Sequence, residues 1–119
     1  MGIVHTKMIN KSLCVITDLD GTFSKIKPLI ESIGLPFYVI TGCDNKEVIE
    51  FKLKETSCIK YFIYPGKYCE DLEVYLKKVA VWKAKMVKRL KGSVYIDDDH
   101  RVLREVAKLN PRTICLEVF

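Results

Sequence analysis

The sequence predicts an α/β domain, a Rossmann-like three-layer sandwich with a mainly parallel central sheet and helices on both of its faces. Short apolar runs alternate along the chain with segments in which apolar residues recur at helical spacing. This alternation is typical of β-α-β units, whose strands lie parallel. The 119 residues, 49% of them hydrophobic, are enough for one packed core but not for two domains of ordinary size. We therefore expect a single domain over residues 1–119.

Five segments have the composition of buried strands. Each is a run of apolar and β-branched residues bounded by glycine, proline or polar residues. The five are Leu13–Thr17, Phe37–Thr41, Ile59–Tyr64, Val94–Ile96 and Thr113–Leu116. Because the strands are expected to be parallel, their carboxyl ends should meet at one edge of the sheet.

The first predicted helix follows the first strand. Its apolar residues recur at helical spacing from Ile26 to Ile33. Ser24 is a candidate N-cap, Pro28 falls in the predicted first turn, where it is tolerated, and Gly34 is a stop signal.

The second and the last predicted helices are marked by their ends. The second opens at Asp44, with Glu47 three residues later as in a capping box. The last carries apolar residues from Val102 to Leu109 and stops at Asn110-Pro111.

The third predicted helix begins at about Val81 and ends at Leu90, with Trp82 and Met86 on its apolar face. The preceding stretch, 67–80, is ambiguous. Within it, Glu73–Val79 fits either a short strand or an irregular connection.

The charge is mildly basic and unevenly distributed. The formal net charge is +5, and no acidic residue stands between Val74 and Ile96, whereas the stretch 77–91 holds seven lysines and arginines. Such a stripe is suited to a phosphate backbone, and equally to a solvated helix face. Both interpretations stay open at this point.

The sequence disfavours a membrane-embedded or a secreted protein. No uninterrupted apolar run exceeds four residues, whereas a membrane-spanning helix needs about 18 or more. The first eleven residues contain no apolar core of a signal peptide. Five cysteines, an odd number without a C-x-x-C pair, fit a reducing compartment better than a disulfide framework. We expect a cytoplasmic protein that does not enter a membrane.

Polar side chains follow three of the predicted strands directly. Singly, each is an ordinary turn or cap residue, but their coincidence at three strand ends favours a ligand site, because such ends line the crevice of α/β folds. Crowded carboxylates repel one another unless a cation joins them, and all-oxygen ligands favour Mg²⁺. The residues at these three strand ends are Asp18, Asp20, Thr41, Gly42, Asp97, Asp98 and Asp99.

Other phosphate and metal motifs fail on spacing. A calcium loop starting at Asp18 would need Gly at its sixth and Glu at its twelfth position, where Phe23 and Leu29 stand. The chain has neither a G-x-x-x-x-G-K-[ST] loop nor a G-x-G-x-x-G fingerprint. A receiver domain would carry an acid after the third strand, which here ends in Pro65-Gly66.

The segment Leu13–Thr22, an apolar strand followed by D-x-D-G-T, resembles the first motif of the haloacid dehalogenase (HAD) superfamily. Val39–Gly42 resembles its second motif and Val94–Asp98 its acidic fourth motif, in the same order. The surroundings of the fourth motif also resemble the phosphatase half of polynucleotide kinase-phosphatases. However, Cys43-Asp44 stand where an arginine often follows in those enzymes.

The resemblance implies roles for the acidic residues. Asp18 would attack phosphorus and form an aspartyl-phosphate, and Asp20 would act as general acid and then base. Mg²⁺ would be held by Asp18, by the Asp20 backbone carbonyl and by Asp98, with Asp97 beside it as the alternative direct ligand. Asp99 is expected to cap the following helix.

The resemblance also implies a phosphate-binding set. Thr41 and Gly42 would hold phosphoryl oxygens together with a lysine. Lys83 is our choice for that lysine, Lys78 is its rival, and Lys85 is a weaker candidate.

Two spacings bear on the substrate. Asp18 and Thr41 are 23 positions apart, and Thr41 and Lys83 are 42 apart, which leaves no room for a cap domain at either usual insertion point. An open, capless site is associated in this superfamily with macromolecular substrates or with closure by a partner subunit in an oligomer. The leading hypothesis is a Mg²⁺-dependent phosphomonoester hydrolase. The alternatives are a nucleic-acid end (3′-phosphate) phosphatase and a HAD-like binding or regulatory domain with negligible turnover.

Overall fold

The computed structural model describes residues 13–119. The N-terminal segment, in which the sequence predicts no signal peptide, lies outside the described residues. Five strands form a single sheet in which every neighbouring pair is parallel. The strands are β1 (Val15–Thr17), β2 (Phe37–Thr41), β3 (Cys58–Ile63), β4 (Val94–Asp97) and β5 (Ile114–Glu117). The prediction of an α/β fold with a parallel sheet is confirmed.

Four helices connect the strands in sequence. They are α1 (Phe23–Ile33), α2 (Lys46–Leu53), α3 (Leu72–Leu90) and α4 (His100–Leu109). The strand order across the sheet is β3-β2-β1-β4-β5, so the chain first moves outward from β1 and then returns through α3 to its other side. The loops after β1 and β4 therefore diverge, and they leave a crevice at the carboxyl edge between these two strands.

The alternation of side chains along the strands divides the core into two apolar layers. Val15 and Val39 pack in the layer with α1 and α2. Ile16 and Ile40, one position further along each strand, pack in the layer with α3 and α4. Together with the sheet, these layers form a three-layer α/β sandwich consistent with a Rossmann-like fold.

The largest departure from the sequence prediction is α3, which begins at Leu72 rather than near Val81. The Glu73–Val79 stretch is therefore helical, and neither a strand nor an irregular connection. Asp71 caps the helix, since its side chain accepts hydrogen bonds from the backbone N–H groups of Glu73 and Val74.

Smaller departures concern the helix ends. In α1 the N-cap position is Thr22 instead of Ser24, which places Pro28 inside the helix, whereas Gly34 does end it with φ 71°. In α2 the cap is Asn45, one residue later than Asp44.

The last helix, α4, agrees with its prediction. Asp99 caps it and Asn110 follows its last turn. Within residues 13–119, none of the helices combines the length and the apolar character that crossing a bilayer demands.

Candidate active site

The crevice between β1 and β4 carries a cluster of ionisable side chains. Asp18 follows β1, Asp97 is the last residue of β4, and Asp98 comes next. One carboxylate oxygen from each of the three lies within 4.8 Å of the others. The backbone fixes this arrangement, because the Asp18 N–H donates to the Ile96 carbonyl at 2.9 Å.

Lys83 provides the positive charge of this cluster. It lies on α3, and its Nζ is 2.7 Å from Asp18 Oδ1 and 3.5 Å from Asp97 Oδ2. All three residues are buried. Burial alone would lower the pKa of Lys83, but the two facing carboxylates outweigh it and hold that pKa above its usual value.

Both carboxylate oxygens of Asp18 accept hydrogen bonds from buried side chains. Its Oδ1 accepts from Lys83, and its Oδ2 accepts from the buried Thr22 hydroxyl at 3.1 Å. Burial raises the pKa of Asp18 above its ordinary value, although Lys83 and Thr22 oppose the rise. The carboxylate is therefore held in one orientation at the floor of the crevice.

Asp97 is an anchored carboxylate. Its Oδ1 accepts from the Asp99 N–H at 3.0 Å, and its Oδ2 accepts from the hydroxyl of the fully buried Tyr95 and from Lys83. Burial raises the pKa of Asp97 to about 7, with Lys83 lowering and Asp18 raising it.

Asp98, by contrast, is exposed and has few protein partners. Its Oδ1 accepts from Thr22 at 3.2 Å, so this one hydroxyl bridges Asp18 and Asp98. Gly21 lies against it with φ 75°, and a Cβ built there would stand 2.3 Å from Asp98 Oδ2. The glycine is thus required both by its left-handed backbone and by the close approach of Asp98.

Asp20 lies outside the cluster. Its side chain is exposed, and its Oδ1 accepts from Lys52 of α2 at 3.1 Å. The structure therefore brings together Asp18, Lys83, Asp97 and Asp98, while Asp20 points away toward α2.

Thr41 and Gly42 end the strand next to β1. Thr41 is buried; its Oγ1 accepts from the Cys43 N–H at 3.0 Å, and its carbonyl accepts from the Tyr64 N–H at 2.9 Å. A Cβ built on Gly42 would lie 3.7 Å from the Tyr75 hydroxyl. The pair is at the same edge of the sheet as Asp18, bordered by aromatic residues from the β3–α3 side.

The other candidate lysines lie elsewhere. Lys78 and Lys85 are exposed on α3, and within residues 13–119 neither has a carboxylate within ion-pair distance. Of the three lysines considered from the sequence, only Lys83 contacts Asp18.

The donor set fits a hard divalent cation. Asp18, Asp97 and Asp98 present oxygen atoms only, and they carry three carboxylates against one lysine. Carboxylate oxygens are ligands that hard cations such as Mg²⁺, Ca²⁺ and Mn²⁺ prefer. Asp98 is better placed than Asp97 to ligate directly, because the oxygens of Asp97 already accept hydrogen bonds from three protein groups.

Sequence reasoning assigned no role to three residues of this region. Thr22 is part of the D-x-D-G-T segment, but its bridge between Asp18 and Asp98 was not predicted. Tyr95 and Lys52 carried no signal, because each acts through a contact that only the folded chain creates.

Comparison of the chain with protein-family models, with curated proteins and with solved structures gives no match. A buried carboxylate that is oriented by a lysine and a hydroxyl, beside further carboxylates at a sheet crevice, is chemically suited to nucleophilic attack on an electrophile with anionic oxygens.

Proposed function

We propose that this protein is a Mg²⁺-dependent phosphomonoester hydrolase of the haloacid dehalogenase type, without a cap domain, that acts through an aspartyl-phosphate. The observation that carries the proposal is Asp18, a buried carboxylate whose two oxygens are held by Lys83 and Thr22 next to Asp98. A merely structural ion pair does not require two further carboxylates at the same crevice.

In the first step, an Asp18 oxygen attacks phosphorus, and the bond from phosphorus to the leaving oxygen breaks. Lys83 and the Thr41-Gly42 end of β2 hold the phosphoryl oxygens. The leaving oxygen takes a proton from Asp20, which must enter this step protonated and regains its proton from water in the second step. Because Asp20 contacts Lys52 in the resting arrangement, its side chain must first rotate toward Asp18.

In the second step, water attacks phosphorus of the aspartyl-phosphate. Asp20 takes the proton from this water, inorganic phosphate leaves, and the Asp18 carboxylate is restored. Bound Mg²⁺, held by Asp18, Asp98 and the Asp20 carbonyl, would supply charge neutralisation between the nucleophile and the phosphate.

The proposal is tested with the purified protein and an aryl phosphate. We expect hydrolysis that requires Mg²⁺ and stops with EDTA, and a loss of several orders of magnitude in kcat for Asp18→Asn. The matched control is Asp44→Asn, which alters an exposed aspartate outside the cluster and should leave the rate unchanged. Hydrolysis that persists in Asp18→Asn would overturn the proposal, and so would a wild-type protein without any Mg²⁺-dependent turnover.

A second measurement tests the choice of metal ligand. Mg²⁺ should raise the thermal stability of the wild type, since a ligand that binds only the native state stabilises it. Asp98→Ala should abolish that rise, while Asp99→Ala, which removes a helix cap and an ion pair with Arg101, should retain it. A reversed result would assign the metal to a different acid.

A further inference from the structure

An aromatic and basic strip lies beside the candidate phosphate site on the β3–α3 side of the molecule. We define the strip by residues that lie along one face of α3 or pack against it. They are Tyr64, Tyr68, Tyr75, Lys78, Trp82 and Lys85.

The strip begins at the candidate site. The Tyr64 N–H donates to the Thr41 carbonyl, and the Tyr75 hydroxyl is the nearest group to a Cβ built on Gly42. Since α3 runs from the carboxyl end of β3 back to the start of β4, its first turns stand at the edge of the sheet that carries Asp18. A molecule whose phosphate lies against Thr41 and Gly42 therefore meets aromatic rings first.

The aromatic rings of the strip are partly exposed to solvent. Tyr68 packs on Tyr75 with ring centroids 5.0 Å apart, yet 67% of Tyr68 remains exposed. Tyr64 contacts both Tyr75 and Trp82 edge-on, at 5.9 and 5.6 Å between centroids. The exposed ring of Tyr68 offers an aromatic surface on which a flat base can stack.

Two lysines extend the strip along α3 toward the C-terminal end of the helix. Tyr75, Lys78, Trp82 and Lys85 are separated by three or four residues, so they lie on one face of α3. Lys78, Trp82 and Lys85 line a shallow groove of about 360 Å³ together with Tyr64. Lys78 and Lys85 have no carboxylate partner within residues 13–119, whereas neighbouring Lys77 pairs with Glu105. Their charge is therefore available to an anion.

We propose that this strip binds a single-stranded nucleic acid whose terminal phosphate lies at Asp18, with bases stacked on the tyrosines and backbone phosphates facing Lys78 and Lys85. The inference rests on the proposed function, because it assigns the substrate class of that same site. From Tyr75 to Lys85 the strip is about 15 Å long. It can accommodate several nucleotides at the ~3.4 Å spacing of one strand. An acidic peptide would use the lysines but has no need of exposed rings.

The test measures binding separately from turnover. The probe is a fluorescein-labelled oligothymidylate of about twelve nucleotides, within the range of single-strand sites, with a 3′-phosphate, and its anisotropy is followed in EDTA at several salt concentrations. Lys78→Ala/Lys85→Ala should reduce the slope of log K against log salt by about 1.4, since each lost phosphate contact accounts for about 0.7. Tyr68→Ala should weaken binding at least about fivefold, the lower limit for one stacked base, with the slope unchanged.

Matched controls distinguish an effect of the strip from the loss of any two positive charges or of any exposed ring. Lys54→Ala/Arg112→Ala removes the same charge from the opposite edge of the sheet, and Phe51→Ala removes a ring from α2 that is more exposed than Tyr68. Both should bind the probe as the wild type does. All variants change exposed side chains, and thermal melting confirms that they are folded.

The outcomes distinguish the two proposals. Aryl phosphate hydrolysis without effects of the strip variants on probe binding would overturn the substrate inference alone. Displacement of the probe by a polyglutamate of equal charge, with Tyr68→Ala silent, would likewise overturn it in favour of an acidic protein. Binding that depends on the strip, together with 3′-phosphate release that the strip variants slow while aryl phosphate hydrolysis stays unchanged, supports it. If the wild type does not hydrolyse aryl phosphate, the proposed function fails, whatever the probe does.

Discussion

Lys83–Asp18 and Lys52–Asp20 are lysine–aspartate pairs at the same edge of the sheet, and they differ almost entirely in environment. Lys83 and Asp18 meet at 2.7 Å with side chains only 7% and 8% exposed. Lys52 and Asp20 meet at 3.1 Å with side chains 43% and 59% exposed. The contacts are nearly equal in length, but one pair is embedded in low dielectric and the other is solvated. Burial, and not the contact itself, decides which pair is fixed and which is free to move.

The difference agrees with the roles proposed for the two aspartates. A nucleophile gains from an orientation that is set before substrate arrives, and Asp18 is held by two donors. A group that first donates and later accepts a proton must be mobile, and a surface ion pair restrains Asp20 only weakly.

The largest effect on stability is expected from breaking the buried pair. Lys83→Met leaves the Asp18 and Asp97 carboxylates buried without a cation, and such breaks cost about 3–5 kcal/mol. The matched variant Lys52→Met should change the unfolding free energy by at most about 1 kcal/mol. Chemical denaturation of both variants at pH 7 measures the difference. Equal losses would show that burial does not distinguish the pairs.

The second prediction concerns pH in metal-free protein. Burial raises the pKa of Asp97 from 3.8 to about 7, so between these values the folded protein binds a proton that the unfolded chain has released. Stability is therefore present at low pH and is lost as pH rises through this window, by about 2–3 kcal/mol between pH 5 and 7. Asp97→Asn, which cannot titrate, should have a flatter profile when unfolding is followed in EDTA. A wild type that gains stability from pH 5 to 7 would contradict the assignment.

A smaller effect is expected for the hydroxyl that anchors Asp97. Tyr95→Phe removes a buried donor to Asp97 Oδ2 and should cost about 1–3 kcal/mol, because this buried oxygen then keeps only the Lys83 contact at 3.5 Å. Tyr61→Phe removes a hydroxyl that donates to Glu50 at the surface, and it should leave stability unchanged. Thermal and denaturant unfolding of the two variants tests whether burial of the hydroxyl determines how much stability is lost.

The smallest effect is expected at Gly21. Gly21→Ala and Gly34→Ala both place a Cβ at positive φ, at a cost of about 1–2 kcal/mol. Only the first also collides with Asp98, whereas nothing lies within 4 Å of a Cβ at Gly34. Both variants should lose similar stability without metal, but Gly21→Ala alone should weaken the Mg²⁺ response in a thermal-shift titration. An undiminished Mg²⁺ response in Gly21→Ala would show that Asp98 does not ligate the metal.

The sequence alone predicted the parts of the site that are local to strand ends. The apolar runs located the five strands, and the acids after β1 and β4 meet because these two parallel strands are neighbours in the sheet. The N-terminal half of α3 was missed although Leu72, Tyr75, Leu76 and Val79 recur at helical spacing; this periodicity and the Asp71 cap were the available signals. That Lys83 is buried, among lysines of otherwise similar appearance, follows from tertiary packing.

The most direct test of the account is to identify the residue that becomes phosphorylated. The protein is mixed with Mg²⁺ and an aryl phosphate, quenched in acid during steady-state turnover, and digested for mass spectrometry. The account predicts a phosphate on the Asp18 carboxylate, labile to hydroxylamine, and none on Asp20. Turnover without phosphate on Asp18, or with phosphate on Asp20, would contradict it.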